Sequence, residues 1–385
     1  MSHGIHVPDE GRPRRTRGVR VAVAAVIGIG ALAAFAGCGS SGSDTTTSRA
    51  AAGATATTVY AVATDSSAAL YPWNNGAGQL FTCGLSGAAT CTRIAAAGNA
   101  VTAVAPVGTR VMVGSSDGTV RDCPGPADSG AGGSCRTPIS PVNAVRAMAA
   151  LPNGYLVLGV NGRLERCAVR SGQSPVCSAT VSGVSGPVVV AGDTVYVTGG
   201  THGEEIRTCS VSNLSAGCAT VVGRVPAAAG DIANTVTGLA PLAGGVIVTS
   251  RDADKNPMVH ACTTGSGCTP LNGLGDAQSV FAAASAGDVA YVGGGAGDGY
   301  IEGPGYVARC TLSGCTRLPR EFDGLGPKRE GGIVSALAAT TDGFVVGGAM
   351  QPALWNCTAA DTCTRLGAID MGQPTSGIRQ LVPDA

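Results

Sequence analysis

Fourteen cysteines that follow residue 38 fall into seven consecutive pairs, and this arrangement limits the folds open to the chain. The members of each pair lie 5 to 12 positions apart, and successive pairs begin 40 to 53 positions apart. A recurrence of that length indicates repeated supersecondary units that stack on one another. The pairs are Cys83 with Cys91, Cys123 with Cys135, Cys167 with Cys177, Cys209 with Cys218, Cys262 with Cys268, Cys310 with Cys315 and Cys357 with Cys363.

The residues before each cysteine pair repeat as well. VTAVA at 101–105 leads to RVMVG at 110–114, and VSALA at 334–338 leads to FVVGG at 344–348. Each unit therefore predicts an alternating strand, a turn with glycine, a more apolar strand, and two short strands that carry the cysteines. Beyond the N-terminal segment no long helical period occurs. The 60 glycines and the small aromatic content of 4% also favour turns and strands.

Four strands in a unit of 40 to 50 residues, repeated seven times, resemble a seven-bladed β-propeller with four-stranded antiparallel blades. The resemblance covers residues 58–385 and is to small bacterial propellers stitched by disulfides. A β-helix is the main alternative, but its rungs are shorter. Independent tandem domains of this size would have too small a core.

The first and last units are incomplete in a complementary way. The first unit has no inner strand before residues 58–64, and the chain ends with a strand-like segment, 377–382, that nothing follows. We expect the C-terminal strand to complete the first blade and close the ring, which removes a free sheet edge.

The cysteines fall on the outer hairpin of each expected blade, where a disulfide would hold the exposed edge strand. Zinc is the competing interpretation, but a zinc site needs four ligands close together, and these pairs are spread around the ring. Only two histidines, His202 and His260, follow residue 6. We therefore expect seven local disulfides, no bound metal and no cofactor.

The N-terminal segment predicts export and lipid attachment. Five arginines between residues 12 and 20 precede an uncharged apolar run, Val21 to Ala36, which ends in Phe35-Ala36-Gly37-Cys38. The run is shorter than a membrane-spanning helix requires, and small residues before a cleavage point are typical of signal peptides. The FAGC sequence resembles the lipobox of bacterial, actinobacterial-type lipoproteins, which implies a lipid on Cys38 after removal of residues 1–37.

The Ser/Thr/Ala/Gly-rich segment 38–57 cannot form a core, and we expect a flexible tether there. The expected location is the extracytoplasmic face of the cell membrane. A zero net charge and only two lysines, Lys255 and Lys328, leave no basic surface for nucleic acid.

Unusual residues concentrate in the loops expected on the face away from the membrane, here called the top face. Loops on a rigid frame often carry function, so these residues are the candidate binding site: Tyr71, Trp73, His202, Glu204, Arg251, Asp252, Asp254, Asp298, Tyr300, Arg320 and Asp323. The segment 252–256 resembles the start of a calcium loop, but Pro257 and Thr263 stand where Gly and Glu are needed. Gly114-Ser115-Ser116-Asp117-Gly118 matches a nucleophile motif, but in a hairpin turn and not before a helix.

Three function classes remain open from the sequence. A lipid-anchored interaction scaffold for an envelope protein or glycan is the first. A small-ligand or glycan sensor is the second, and a propeller enzyme such as a glycosidase or quinoprotein dehydrogenase is the third. No cluster of catalytic acids, bases or metal ligands is evident, which favours binding over catalysis.

Overall fold

The computed structural model describes residues 57–65, 78–86, 90–125, 134–136, 138–170, 173–226, 236–251, 257–275, 277–296, 304–322, 332–349, 351–371 and 376–384. All of these belong to one unit, Ser48–Ala385. They form 27 β-strands and two single-turn 3₁₀ helices, Ala95–Ala97 and Leu214–Ala216. The predicted all-β class is confirmed.

Twenty strands form five separate four-stranded antiparallel sheets, each built from four consecutive strands. This is a β-propeller arrangement of four-stranded blades, as predicted. The first blade holds β7 (Val145–Leu151), β8 (Gly154–Gly159), β9 (Leu164–Ala168) and β10 (Val176–Val181). The second holds β11 (Ser185–Ala191), β12 (Thr194–Gly199), β13 (Glu205–Ser210) and β14 (Thr220–Arg224). The third holds β15 (Val236–Leu242), β16 (Gly245–Arg251), β17 (Pro257–Thr263) and β18 (Gly267–Pro270).

The two remaining four-stranded sheets complete this series. One holds β19 (Ala277–Ala286), β20 (Val289–Ala296), β21 (Gly305–Thr311) and β22 (Gly314–Phe322). The other holds β23 (Val334–Thr340), β24 (Gly343–Gly348), β25 (Ala353–Thr358) and β26 (Cys363–Ala368). In each the first strand pairs with the second, the second with the third and the third with the fourth, so every blade is an up-and-down meander.

The other seven strands form a single sheet, which differs from the seven separate blades that the sequence predicted. One part runs β27 (Ser376–Pro383), β1 (Thr58–Asp65), β2 (Gly78–Gly84) and β3 (Cys91–Arg93), and the other runs β4 (Val101–Val107), β5 (Arg110–Ser115) and β6 (Val120–Pro124). A single residue pair, Gly78 with Val101, joins the two parts. Glycine permits this approach, because a Cβ on Gly78 would lie 2.7 Å from the carbonyl oxygen of Val101.

The second part of this sheet has a reduced outer edge. Beyond β6, the described residues provide an isolated bridge, Val120 with Ile139, where a fourth strand was expected. The Cys123–Cys135 disulfide lies at the same edge and ties β6 to the chain that follows it.

Seven strands contact one another in a closed cyclic order, β4, β7, β11, β15, β19, β23, β27 and back to β4. Each is the innermost strand of its sheet or sheet part. They surround a central cavity, called here the axial channel, with a volume of about 510 Å³.

Ring closure by the C-terminal strand is confirmed. β27 pairs antiparallel with β1 from Val59 opposite Pro383 to Asp65 opposite Ser376. Ile378 is fully buried in this strand. Gln380 reaches across to the next inner strand, where its side-chain oxygen accepts a hydrogen bond of 3.1 Å from the backbone N–H of Val104.

All seven predicted cysteine pairs are disulfides. In five of them the two cysteines stand directly opposite each other on paired strands, for example Cys262 opposite Cys268. The Cα–Cα distances run from 3.9 to 4.4 Å, close to the spacing of a non-hydrogen-bonded antiparallel pair. Each of these five disulfides therefore crosses the outer hairpin at a position where the sheet already brings the two Cα atoms together.

The expectation that the disulfides lie along an exposed edge needs correction, because most of their side chains are buried. Cys218 is one example, and it also lies outside the strands, in a bend between the 3₁₀ helix Leu214–Ala216 and β14. It packs into a cluster that joins the first two four-stranded blades. The buried cysteines are Cys83, Cys123, Cys167, Cys209, Cys218, Cys262, Cys310, Cys315, Cys357 and Cys363.

Cys315 shows why an outer strand can be covered. It is the second residue of β22 and lies opposite Cys310. Both cysteines are nevertheless buried, in a cluster shared with the preceding blade. Its backbone N–H donates a hydrogen bond of 3.0 Å to the carbonyl of Asn272, which follows β18 of that blade. A neighbouring blade thus covers the outer hairpin. The disulfide holds the edge strand and also contributes apolar surface to the packing between blades.

Valine and alanine fill most of the space between sheets, with a few aromatic contacts where two blades meet. Tyr291 and Phe344 have ring centroids 4.3 Å apart, and the Phe322 ring stands edge-on to Trp355 at 5.9 Å. These rings belong to one buried cluster that joins the last two four-stranded sheets. Inter-blade packing is thus largely aliphatic, as the low aromatic content requires.

The closure predicts that loss of β27 destabilises the whole ring. Truncation before residue 376 should lower the free energy of unfolding by several kcal/mol, since each buried aliphatic side chain contributes about 1.5–3 kcal/mol. Ile378→Ala should cost about 2–5 kcal/mol. The matched control, Val221→Ala at a side chain that is 44% exposed, should change stability by less than about 0.5 kcal/mol. Urea and thermal unfolding give the values, and a truncated protein as stable as the intact one would contradict the closure.

His260 predicts a loss of stability in weak acid. Its side chain is 1% exposed, its Nδ1 lies 3.3 Å from the Ser250 hydroxyl, and burial lowers its pKa below the ordinary value. The unfolded chain therefore takes up a proton before the folded protein does. The resulting stabilisation is complete above about pH 6.5, the unfolded value, and is lost as the pH falls toward the folded pKa.

Urea unfolding between pH 7.5 and 5 measures this effect. The slope for one proton has a limit of about 1.4 kcal/mol per pH unit. His260→Gln should flatten the profile, whereas the control His202→Gln should retain the contribution of His260. An unchanged profile in His260→Gln would assign the acid sensitivity to other groups.

Candidate functional site

Most of the predicted top-face residues lie outside the part of the chain that the structure describes. Three of them, His202, Glu204 and Arg320, can be placed together with their side chains, and Arg251 ends β16 but only its backbone is described. The lipidation site Cys38, the tether and the calcium-like segment 252–256 are also outside the described residues. The others outside them are Tyr71, Trp73, Asp252, Asp254, Asp298, Tyr300 and Asp323.

His202 and Glu204 lie in the turn between β12 and β13, where Glu204 organises the backbone. Its carboxylate accepts a hydrogen bond of 2.9 Å from the backbone N–H of His202. Burial opposes ionisation of Glu204, but hydrogen bonds from its own backbone and that of His202 outweigh burial and lower its pKa. The neighbouring Glu205 accepts hydrogen bonds from Arg207 and Arg224. These contacts stabilise the turn and give these acids a structural role.

Arg320 lies in β22, and its guanidinium carbon is 4.7 Å from the centroid of the Trp355 ring. Phe322, on the same strand, packs edge-on against that indole. Arg320 therefore covers an aromatic contact between two blades, and the axial channel is lined by neither Arg320 nor His202 nor Glu204.

Two further residue groups, one around Ser116 and one around Glu165, have structural roles. Ser116 lies in the hairpin turn between β5 and β6, as predicted, and a strand follows it. Glu165 lies near Cys167 and Cys177, with potential ligand atoms within 4.8 Å of one another. The two sulfurs form a disulfide, and metal binding requires thiolates, so this group is not a metal site.

The inner strands enclose the axial channel, and most of its lining is aliphatic. Alanine, valine and leucine side chains from these strands predominate, and the described lining contains neither acid nor histidine.

Two arginines lie at one end of the channel, in a lining that is otherwise neutral among the described residues. A cavity of about 170 Å³, here called the channel mouth, lies between the first halves of β4, β7, β11 and β15 and the middle of β27. Arg146 and Arg379 both line it, next to neutral residues. Arg379 is only 9% exposed, and burial lowers the pKa of Arg146 from its ordinary value. Arginine nevertheless stays protonated in proteins, so the described lining has a positive charge. The residues are Thr102, Ala103, Arg146, Ala147, Gly186, Pro187, Val236, Thr237, Arg379 and Gln380.

A ring of β-bulges places these side chains. On β7, Val145 and Ala147 oppose consecutive residues of β8, which leaves Arg146 as the extra residue. Arg379 is the extra residue of β27 in the same way, between Ile378 and Gln380. A bulge adds one residue to a strand and re-aims its side chain. The same one-residue irregularity falls at Thr102, Thr237, Gln278 and Ser335 on four further inner strands.

At the other bulges whose side chains are described, the frame itself satisfies the polar group. Thr102 donates to the carbonyl of Gly114. Thr237 donates to Val280 at 3.1 Å and Ser335 donates to Ile378 at 2.6 Å, so each hydroxyl links its strand to the next inner strand. The hydroxyls of Thr237 and Ser335 thus connect blades. At Arg146 and Arg379 the residue in the extra position lines the channel mouth.

Sequence reasoning missed Arg146 and Arg379, because it sought function in the loops. A signal was nevertheless present in the repeats. The second position of the inner-strand motif is Thr102, Thr237 or Ser335 in three units and Arg146 in a fourth. Arginine in a position otherwise held by a small hydroxyl residue distinguishes that unit. Arg379 could be found only through the bulge, since its strand closes the ring from the other end of the chain.

No family model matches the chain, and no curated protein is significantly similar to it. Among the residues that the structure describes, none belongs to a helix with the length and apolar character needed to cross a bilayer. Inferences about function therefore depend on the channel mouth and on the N-terminal segment that precedes the described residues.

Proposed function

We propose that this protein is a lipid-anchored binding module of the cell envelope, a seven-bladed β-propeller that receives its ligand or partner group at the channel mouth. The observation that carries the proposal is the cavity that five inner strands form around Arg146 and Arg379. Rigid strands preorganise such a cavity, which reduces the entropy lost on binding.

Three features support a count of seven blades. The two parts of the seven-stranded sheet meet at one residue pair, Gly78 with Val101, which is consistent with two blades in close contact. The inner strands also follow one another around the axis in a cycle of seven. The seven disulfides recur with the same period, one for each blade.

Binding is a better account of the channel than catalysis by a glycosidase. Glycoside hydrolysis by the common mechanisms needs two carboxyl groups on either side of the scissile bond. Within the described lining of the channel, the ionisable side chains are Arg146 and Arg379. The described lining therefore does not offer the pair of carboxyl groups that this mechanism uses.

The location in the envelope is supported by the arginine-rich start, the short apolar run and the FAGC sequence at 35–38. Lipid attachment at Cys38 would leave residues 39–57 as a tether between membrane and propeller. A flexible tether of this length has a root-mean-square reach of a few tens of Å, from roughly 5–6 Å times the square root of its length.

Replacement of Cys38 by Ala tests the anchor. The variant should leave the membrane fraction or accumulate as an unprocessed precursor, and its mass should lack the lipid. Ser40→Ala, two positions along the same segment, should fractionate like the unaltered protein. Retention of Cys38→Ala in the membrane with an unchanged mass would refute lipid anchoring at this residue.

Site-specific photo-crosslinking in intact cells tests which face binds. Thr201 is exposed in the β12–β13 turn. This turn lies at the end of the channel that holds the mouth, because the nearby Thr198 pairs with Ser185 at the start of β11. Ser313 is exposed in the β21–β22 turn, at the other end. A photoreactive residue at 201 should give discrete adducts, and one at 313 should not. Equal adducts from both positions would contradict a binding face at the channel mouth.

A further inference from the structure

We infer that the Glu165 carboxylate protects the Cys167–Cys177 disulfide against thiol reductants, because it opposes the thiolate that Cys167 must become when the disulfide opens. The inference concerns the outer hairpin of the first four-stranded blade and is independent of the binding function proposed for the channel mouth. Glu165 and Cys167 lie on β9, and Cys177 lies on β10. This is the one disulfide for which the described residues place a carboxylate or imidazole within 4.8 Å of both sulfurs.

The register of the sheet places the carboxylate beside the disulfide. Cys167 lies opposite both Tyr155 on β8 and Cys177 on β10. Glu165 precedes Cys167 by two positions, so these side chains share one face of the blade. That face packs against the β4–β6 part of the seven-stranded sheet, and Tyr155 and Cys167 are fully buried in the contact. The carboxylate and the disulfide therefore interact in a medium that screens charge poorly.

Steric cover protects only one of the two sulfurs. Cys167 is 0% exposed, so an attacking thiolate reaches the half-buried Cys177 instead. Val176 beside it is 58% exposed, and Ser178 is exposed as well. The approach to the outer sulfur is thus open, and resistance to reduction depends on the sulfur that leaves.

Thiol–disulfide exchange places a negative charge next to Glu165. A dithiol reductant in its thiolate form attacks the Cys177 sulfur, the S–S bond breaks, and the electron pair of that bond remains on the Cys167 sulfur. The second thiol of the reductant then loses its proton and displaces Cys177 from the mixed disulfide. This oxidises the reductant to a cyclic disulfide and leaves two reduced cysteines. The two protons given up by the reductant return to these cysteines or pass to water.

The charge of Glu165 makes the first of these steps unfavourable. A thiolate close to a carboxylate in a buried site is destabilised, and a thiol that ionises less readily is a poorer leaving group. The Tyr155 phenol on the strand opposite Cys167 experiences the same field. Burial raises its pKa, and the charges of Asp122 and Glu165 raise it further. The arginines that pair with these two acids therefore do not cancel their field at this position.

Arg163 reduces the effect of Glu165 without removing it. Its Nη2 lies 2.5 Å from Glu165 Oε1, but the arginine side chain is 50% exposed and that of Glu165 is 6% exposed. Water therefore screens the arginine more than the carboxylate. Loss of the Arg163 charge should strengthen the protection, whereas loss of the Glu165 charge should abolish it. A purely structural ion pair would behave differently, because loss of either partner would loosen the hairpin and expose the disulfide.

Reduction of the full-length protein by dithiothreitol, in a non-ionic detergent at constant pH, tests the inference. Samples alkylated at intervals and analysed by peptide mass mapping give a rate for each disulfide. Glu165→Gln should accelerate reduction of Cys167–Cys177 about 3- to 10-fold, the scale set by a Brønsted coefficient of about 0.4–0.5 for thiol exchange. Arg163→Gln should slow it. The Cys262–Cys268 disulfide, which also has one buried and one half-buried sulfur, should keep its rate in both variants.

The dependence on reductant concentration shows whether direct attack is measured. A rate that does not rise with dithiothreitol concentration would mean that opening of the hairpin limits reduction, and this would overturn the inference. An unchanged rate in Glu165→Gln would also overturn it, as would acceleration in both variants. Circular dichroism and melting temperature show whether each variant folds. If Glu165→Gln does not fold, a slower rate in Arg163→Gln supports the inference, and an equal or faster rate contradicts it.

Discussion

A ring of sheets requires its first and last members to meet, and in this protein the meeting is an antiparallel pair of strands from opposite ends of the described chain. β27 supplies the inner strand beside β1, so the inner edge of β1 is paired and the two ends of the described chain are held in one sheet. Gln380 of β27 then binds the backbone of Val104 in the next inner strand. Because the inner strands form one closed cycle, the contacts between the other blades must be compatible with this pairing.

The same strand that closes the ring also supplies one of the two arginines in the described lining of the channel mouth. Arg379 lies one residue before Gln380, and the bulge that makes it the extra residue is part of the β1–β27 pairing. Closure and the candidate site are therefore mechanically coupled. A change in the register of β27 would move Arg379 relative to Arg146, whereas a change in a loop would leave both in place.

Stability is distributed differently between the axis and the rim. Toward the axis, backbone pairing and the hydroxyls of Thr237 and Ser335 connect successive strands. Between blades, packing is mostly Val and Ala, with Trp355 and Phe322 as an aromatic exception. In the outer hairpins, by loop entropy each disulfide contributes about 2–3 kcal/mol. A protein with few aromatic side chains can in this way keep its edge strands paired.

Local information was sufficient for the five separate four-stranded blades. Alternating apolar residues, glycine turns and cysteines at short spacing act within about 45 residues, so the strand order within these units and the disulfide partners could be predicted from the repeats. The role of the C-terminal strand was predictable for another reason, because the first unit lacks an inner strand and the chain ends with one. How deeply a cysteine such as Cys218 or Cys315 is buried was not predictable, because a neighbouring blade provides the cover. The contact between Gly78 and Val101, which merges two units into one sheet, likewise depends on how closely two backbones approach.

The channel mouth also needed the tertiary structure. A bulge shifts a side chain by one register position without changing the hydrophobic pattern, so the repeats alone do not show which way a residue at that position points. Arg146 and Arg379 are 233 positions apart in the chain. The repeats and the apolar alternation are enough to predict the strands that carry them, whereas closure of the ring is what brings both residues to the same cavity.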